Sequence, residues 1–322
     1  MDYFVHYTGT CIDRSLNKCY SLDKKLLFCN PISKSTELII NDFLLLVERW
    51  CSKVRQVGIC SNDYHGFNTF DALEGMASAG FHNVELSATE GWTRHVSPQD
   101  SFEQLETVRN KMDELGLKPF SMAGHCNLMD PERLKDFILN IKLAHFFGCR
   151  YIVSSVGEAH LKEKVHTGSE KAAENIKQLI PYLEKYNMKL SLETHGVHAG
   201  GRQMMDIVTR VDSPFVGIAY DTANVIFYSG LRPEQDISTC IDYVNYIHMK
   251  DKAGADKEWN FPAPGKGGIN FPAIIKMLDA ADNDCPLMVE IEYTENGAGS
   301  LAQADQAVRD AAEYLKGLGF TI

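Results

Sequence analysis

Four segments of this 322-residue chain place a carboxylate or an imidazole where a run of alternating or β-branched apolar residues ends: Glu193 in KLSLETHG, Asp221 in VGIAYDTAN, His248 in YIHMKDK and Glu290 in PLMVEIEY. Apolar runs of that length and composition read as buried strands. All four side chains therefore sit where a strand gives way to its loop, the place where parallel α/β barrels do their chemistry. The first three are 28 and 27 positions apart, one strand-helix unit each, while the 42 positions from His248 to Glu290 include a long loop, 252–268. Three carboxylates and one imidazole make a hard-to-borderline oxygen and nitrogen site. It suits one divalent ion, Mn²⁺ first, with Mg²⁺, Co²⁺ or Zn²⁺ as alternatives; the lack of a cysteine among the four argues against structural zinc. Taken singly, a Glu, Asp or His past a strand is more often a loop cap or an ion-pair partner than a ligand. Four at successive strand ends are hard to place there by accident.

The elements that would position them form a regular rhythm from Lys53 to the C-terminus. Strands are expected at VRQVGICS, FHNVELS, LKPFSMAGH, GCRYIVSSVG, MKLSLETHG, FVGIAYDTAN, YVNYIHMKD and PLMVEIEY. Helices are expected over 69–80, 100–115, from Pro131 onward, 169–187, 201–210, 233–241, 271–281 and 299–316. Eight strands alternating with eight helices predict the α/β class and a closed (β/α)8 TIM barrel over residues 53–322. An open doubly wound sheet is disfavoured because no GxGxxG follows the first strand. Residues 1–52 are expected to form an N-terminal extension. Its first 35 residues show no sustained period, and 36–52 read as one amphipathic helix with Ile39, Phe43, Leu46, Val47 and Trp50 on one face. That face would dock on the barrel or bind a partner.

Bulk properties narrow the class. Hydrophobic residues make up 44% of the chain and charged residues 23%, ordinary for a globular protein with a large core. A formal net charge of −11 argues against a surface that follows a nucleic-acid backbone. Nine cysteines without a CxxC pair read as reduced thiols and point to the cytoplasm. The opening MDYFVHYTGTC lacks the basic, apolar and small-residue order of a secretory signal. The most apolar stretch, Leu38 to Val47, is interrupted by Asn41 and Asp42 and falls short of the ~20 residues of a membrane span, so no membrane partner is expected. A homo-oligomer or a partner subunit is compatible with all of this.

The set SLETHG, AYDTAN, YIHMKDK and MVEIEY, with FPAPGKGGINFPAIIKML between the last two, resembles the xylose-isomerase-like barrel superfamily of sugar isomerases and epimerases over about residues 54–318. The resemblance implies a carbohydrate substrate and one divalent ion held by Glu193, Asp221, His248 and Glu290, with Glu292 as the rival for the fourth place. It also implies proton abstraction next to a carbonyl, with Glu193 and Glu290 as the base and acid pair. The chain departs from the ketose epimerases of that group at Asn224, Gly254 and Ala199, where they carry His, Arg and Glu. Substrate contacts would then fall to His125, His195, His198 or Lys250, with His125 also a candidate base. The bland readings are a loop-bonding His125 and a Lys250 salt-bridged to Asp251 or Glu292. Glu85 reads as a residue that orients a ligand. The DTAN and KDK segments and the W-F-P-A loop also resemble the barrel subunit of enzymes that cleave 3-keto C- or O-glycosides by β-elimination, a lyase alternative. An apurinic-site endonuclease or a non-catalytic carbohydrate-binding barrel fits the residues less well. The GKGG of the 252–268 loop is a weak phosphate-binding signal, since the full P-loop spacing is missing.

Overall fold

The computed structural model describes residues 55–322, apart from 160, 163 and 164, and the backbone of two strands nearer the N-terminus. Those two, β1 (Tyr3–Asp13) and β2 (Lys18–Phe28), pair antiparallel with Tyr3 opposite Phe28 and Asp13 opposite Lys18. A two-stranded ribbon takes its order from backbone pairing, which leaves no period in the sequence. The helix expected over 36–52 lies outside the described residues. The chain divides into two compact units, Met1–Arg55 and Gln56–Ile322.

The second unit is a closed barrel of eight parallel strands. In chain order they are β3 (Val57–Cys60), β4 (Asn83–Ser87), β5 (Lys118–Ala123), β6 (Tyr151–Ser155), β7 (Lys189–Glu193), β8 (Val216–Asp221), β9 (Val244–Met249) and β10 (Leu287–Val289), with β10 closing on β3. All eight fall inside the apolar runs that predict them. Local chemistry sets where the helices start and stop. Asn68 accepts the amides of Phe70 and Asp71 ahead of helix Thr69–Ser78, and Ser101 with Gln104 forms a capping box ahead of Phe102–Glu114. Gly148, in the left-handed conformation, ends helix Leu134–Phe147 just before β6.

Two helices differ from expectation. The stretch 169–187 is broken into Ser169–Lys177 and Ile180–Tyr186. Pro181 accounts for the break: it has no amide proton, and its ring would meet the carbonyl of Lys177, where the first helix ends. Between β8 and β9, the helix expected over 233–241 contracts to Pro233–Asp236 followed by two short 3₁₀ turns. It is preceded by a π-helical turn over Val225–Ser229, a form often found at functional sites.

The apolar core lies in two places. The larger cluster packs strands against surrounding helices, for example Ile141, Ile176, Ile207, Leu278 and Val308 against Ile152, Leu190 and Ile218. A smaller one, Cys60, Phe120, Val153, Ala219, Tyr246 and Met288, fills the barrel itself. The barrel is thus a packed body, and its mouth is where open chemistry can be placed.

Candidate active site and metal centre

Strand register brings the four strand-end residues together. Pairing of β8 with β9 sets Asp221 opposite His248, while Glu193 closes β7 and Glu290 follows β10 directly. One ligand atom from each of Glu193, Asp221, His248 and Glu290 lies within 4.8 Å of the others, and all four residues are buried. His248 Nδ1 is 2.8 Å from Glu193 Oε1 and 3.6 Å from Glu290 Oε2.

The oxygens of this cluster are satisfied on one side only. Asp221 Oδ1 accepts the amides of Ala223 and Asn224, at 2.9 and 2.8 Å, and Glu290 Oε1 accepts from Asn62 Nδ2 at 3.0 Å. Asp221 Oδ2 and Glu290 Oε2 are buried without a hydrogen bond, facing Lys250 Nζ at 3.7 and 3.3 Å. Buried carboxylate oxygens in that state cost free energy unless cations meet them. Asp221, Glu290 and Glu292 share one lysine and Glu193 faces only imidazoles, so a divalent cation fits both the charge and the hard-oxygen donor set.

Electrostatics within the cluster follow from burial and near neighbours. Removal from water raises the Glu290 carboxyl, yet Lys250 and His248 outweigh this and hold it at about 2. Glu193 is likewise held well below the carboxylate range, burial being outweighed by His125 and His248. Asp221 goes the other way, pushed up by burial against the pull of Lys250. Burial also pushes the Glu292 carboxyl up, opposed chiefly by Lys250. Lys250, although buried, is raised because Glu290 and Glu292 favour its charge. Its closest partner is Glu292 at 2.7 Å, so of the two ion pairs considered from sequence the structure forms the one with Glu292.

Beneath the cluster runs a hydrogen-bonded chain through the barrel. His248 Nε2 donates to Glu85 Oε1 at 2.9 Å, Tyr246 Oη donates to Glu85 Oε2 at 2.5 Å, and the Cys60 thiol reaches Glu85 Oε1 at 3.2 Å. Ser121 Oγ is 2.5 Å from Tyr246 Oη. With its Nε2 proton engaged by Glu85, His248 is oriented so that Nδ1 faces the carboxylates, the arrangement by which outer residues aim a ligand.

A cavity opens beside the cluster, lined by Glu193, Lys250, Glu290 and Glu292 and by the aromatic rings of Trp92, Tyr228, Trp259 and Phe261. His125 and His195 also line it. The Ser155 amide donates to His125 Nδ1 at 3.0 Å. That nitrogen is therefore an acceptor, and the ring's proton belongs on Nε2. His195 Nε2 is 3.1 Å from the Tyr228 hydroxyl, and removal from water lowers this histidine to about 4. His198 is outside the lining, its ring 6.3 Å from that of His166. Trp259 and Phe261 from loop 252–268 meet Phe227 edge to face at 5.6 and 5.5 Å. The amides of Gly265 and Gly267 in that loop and of Ile269 just after it converge on the Asp251 carboxylate at 2.9, 2.8 and 3.1 Å. A Cβ on Gly267 would stand 2.3 Å from Asp251 Oδ1. The GKGG amides thus hold an internal carboxylate rather than presenting themselves to a phosphate.

Sequence reading missed Asn62, Trp92, Tyr228 and Tyr246. Asn62 lies 228 positions from Glu290, and only closure of β10 on β3 makes them neighbours. Tyr228 had a weak signal in its nearness to the DTAN segment; Trp92, in a loop after β4, had none.

A closed βα barrel with a carboxylate-imidazole cluster at its strand ends defines the class. The chain belongs to the xylose isomerase-like TIM barrel family, whose description matches residues 73–318. It is 23% identical over 282 residues to an inosose dehydratase of Clostridium beijerinckii, covering 77% of this chain and 89% of that one. The fold is shared with D-psicose 3-epimerase of Clostridium cellulolyticum H10 in complex with D-tagatose, at a TM-score of 0.66, 16% identity and coverage of 82% and 99%. It is shared also with a xylose isomerase-like barrel of Mycobacterium smegmatis in complex with magnesium, at a TM-score of 0.60, 16% identity and coverage of 77% and 88%. Among the described residues no helix is long and apolar enough to cross a membrane.

Proposed function

We propose that this barrel is a divalent-metal-dependent enzyme that removes a proton from the carbon next to a carbonyl in a sugar or sugar-like polyol. The supporting observation is that two carboxylates held below the usual carboxylate range, Glu193 at the end of β7 and Glu290 just after β10, line one cavity and belong to the same four-residue cluster. Glu193, Asp221, His248 and Glu290 would hold the ion, one per chain. Once bound, the ion supplies Lewis acidity to a substrate carbonyl and its developing negative charge.

The chain's own residues divide the remaining work. Glu290 Oε2 accepts no hydrogen bond and borders the cavity, which favours it as the proton acceptor. Glu193 Oε1 is engaged by His248, which favours a partner role on the other side of the substrate. Lys250 offers positive charge to oxygens of the substrate or of Glu292, and His195 carries the Tyr228 hydroxyl. Return of a proton to the opposite face of the same carbon gives an epimerase, and its return to the former carbonyl carbon gives an isomerase. A second outcome is loss of a β-substituent, as in a dehydratase or a 3-keto-glycoside lyase. In that outcome His125, which lines the cavity and accepts the Ser155 amide on Nδ1, would donate from its other nitrogen to the departing oxygen. Residues 53–322 would constitute this catalytic unit, with 1–52 as an extension outside it.

Incubating metal-loaded protein in D₂O with ketoses, inososes and 3-keto-glycosides tests the reading. Deuterium should enter the carbon next to the carbonyl, or a β-group should be lost. If no carbon-bound proton exchanges and no group leaves with any of these, the proton-abstraction reading is wrong.

A further inference from the structure

Two residues apart just after β10, Glu290 and Glu292 set two buried carboxylates side by side. Two groups bridge them. Asn62 Nδ2 donates to Oε1 of Glu290 at 3.0 Å and to Oε1 of Glu292 at 3.1 Å, while Lys250 Nζ lies 3.3 and 2.7 Å from their Oε2 atoms. The bridges differ in kind. An ammonium offsets negative charge, whereas a neutral amide fixes direction and leaves the charge for a cation to meet. Asp63, the next residue of the 3₁₀ turn Ser61–Tyr64, accepts the amide of Ile291 at 2.9 Å, so the same turn also holds the backbone between the two glutamates.

The Asn62 amide is aimed from behind. A carboxylate ion only accepts, so the Asn62 atom facing Glu290 is its NH2 group, and Oδ1 points to Thr93 Oγ1, 2.5 Å away. Two oxygens that close need a proton between them, and Oδ1 has none to give. The Thr93 hydroxyl therefore donates to Asn62, and its own oxygen is left to accept from His65 Nδ1 at 2.7 Å. Donation runs one way, from His65 through Thr93 and Asn62 to the carboxylates. Asn62 and Thr93 are buried, and an amide turned the other way would set Oδ1 against two carboxylates, a costly arrangement away from water. His65 is held in turn by stacking on Trp92, with ring centroids 4.0 Å apart and planes within 11° of parallel.

We propose that Asn62 is a positioning residue of this site: aimed by the His65–Thr93 chain, its amide pins Oε1 of Glu290 and of Glu292 and so fixes Oε2 of Glu290 as the oxygen left open for chemistry. This rests on reading Glu290 as metal ligand and proton acceptor. Thr93 acts at one remove, through Asn62.

Two readouts that need no turnover test the proposal in the full-length protein. The first is Mn²⁺ affinity by calorimetry. Thr93→Val keeps the shape of the side chain and removes its donor, whereas Thr93→Ser keeps the donor and removes a methyl group. Thr93→Val and Asn62→Ala should each weaken Mn²⁺ binding by about tenfold or more, the loss expected when a residue that orients a ligand is removed, and Thr93→Ser should bind as the parent does. The reverse order, with Thr93→Ser weakened and Thr93→Val unaltered, would assign Thr93 to packing and overturn the proposal. Unaltered affinity in Asn62→Ala would do the same. The second readout is the tautomer of His65 in metal-free protein, read from long-range ¹H–¹⁵N spectra and assigned by the signal lost in His65→Gln. Burial lowers the pKa of His65, so at about pH 8 the ring is neutral, and its proton should sit on Nδ1. Asn62→Ala frees the Thr93 hydroxyl to donate to that nitrogen and should shift the proton towards Nε2. A proton on Nε2 in the parent, or no shift in Asn62→Ala, would overturn the one-way chain. A parent that binds no Mn²⁺ while showing the Nδ1 tautomer and its shift would sink the metal reading and leave the clamp on the two carboxylates standing.

Discussion

Two sets of buried carboxylates share the barrel, and they are finished differently. Glu85, below, has both oxygens engaged, by His248 and the Cys60 thiol on one and by Tyr246 on the other. Asp221 and Glu290, above, each keep one oxygen buried and without a hydrogen bond. Folding stability alone favours the first state, because an unsatisfied buried acceptor costs roughly 1–3 kcal/mol. The contrast separates scaffold from site: below, polar groups hold one another in place; above, they are held in place for something else.

The sharpest way to break that contrast is to remove one of the proposed metal ligands from the upper set. His248→Ala should reduce bound metal from about one ion per chain to near zero, read by elemental analysis, and abolish exchange with solvent. Retention of metal and exchange would dissolve the distinction. Next in size, Glu290→Gln in protein that keeps its metal should slow deuterium exchange by about 10²–10⁴-fold, the range of a lost general base. Unchanged exchange would move the base to Glu193. In the lower set effects should be smaller and indirect. Glu85→Gln should weaken metal binding by about 10–100-fold through a loosened His248 while leaving the fold intact. A variant as tight as the parent would show that Glu85 does not orient the ligand.

His95 supplies a comparison outside both sets. It is buried, with Nε2 3.3 Å from the Phe67 carbonyl, and burial lowers its pKa to about 4. The unfolded chain protonates this residue near 6.5 and the folded chain near 4, so below pH 6.5 the unfolded state binds more protons. Stability present above pH 6.5 is then lost as pH falls towards 4, by about 1 kcal/mol between pH 7 and 5.5. Urea denaturation of the parent and of His95→Asn at the two pH values measures this contribution, and equal slopes would assign the pH dependence to other groups.

The upper set was legible along the chain because strand ends announce themselves locally. An apolar run stops, a Glu, Asp or His follows, and the interval to the next marks one strand-helix unit. Glu85 was visible as a polar residue at a strand end for the same reason, lying in a recognisable second strand, and the structure sets it 2.9 Å from His248. Its partners were not. Tyr246 lies 161 positions from Glu85 and Asn62 lies 228 from Glu290, and nothing in their own segments distinguishes them from core residues. Asn62 and Glu290 meet where the first and last strands close the ring, and Tyr246 of β9 reaches Glu85 of β4 across the barrel interior. The break at Pro181 could have been read from sequence, since proline's effect on the carbonyl four residues earlier is local. The contraction of the helix after β8 could not, because its apolar residues fit either a regular helix or the turns actually formed.

Asp251 has one further consequence. By gathering the amides of Gly265, Gly267 and Ile269, it ties the far end of a long excursion back to the strand where it began. A free loop of that length samples many shapes, and a ligand that relied on it would have to restrict it on arrival. Here that restriction is imposed during folding, so Trp259 and Phe261 already stand at the cavity wall, and a ligand of the proposed kind would meet an assembled surface without the entropy cost of ordering it.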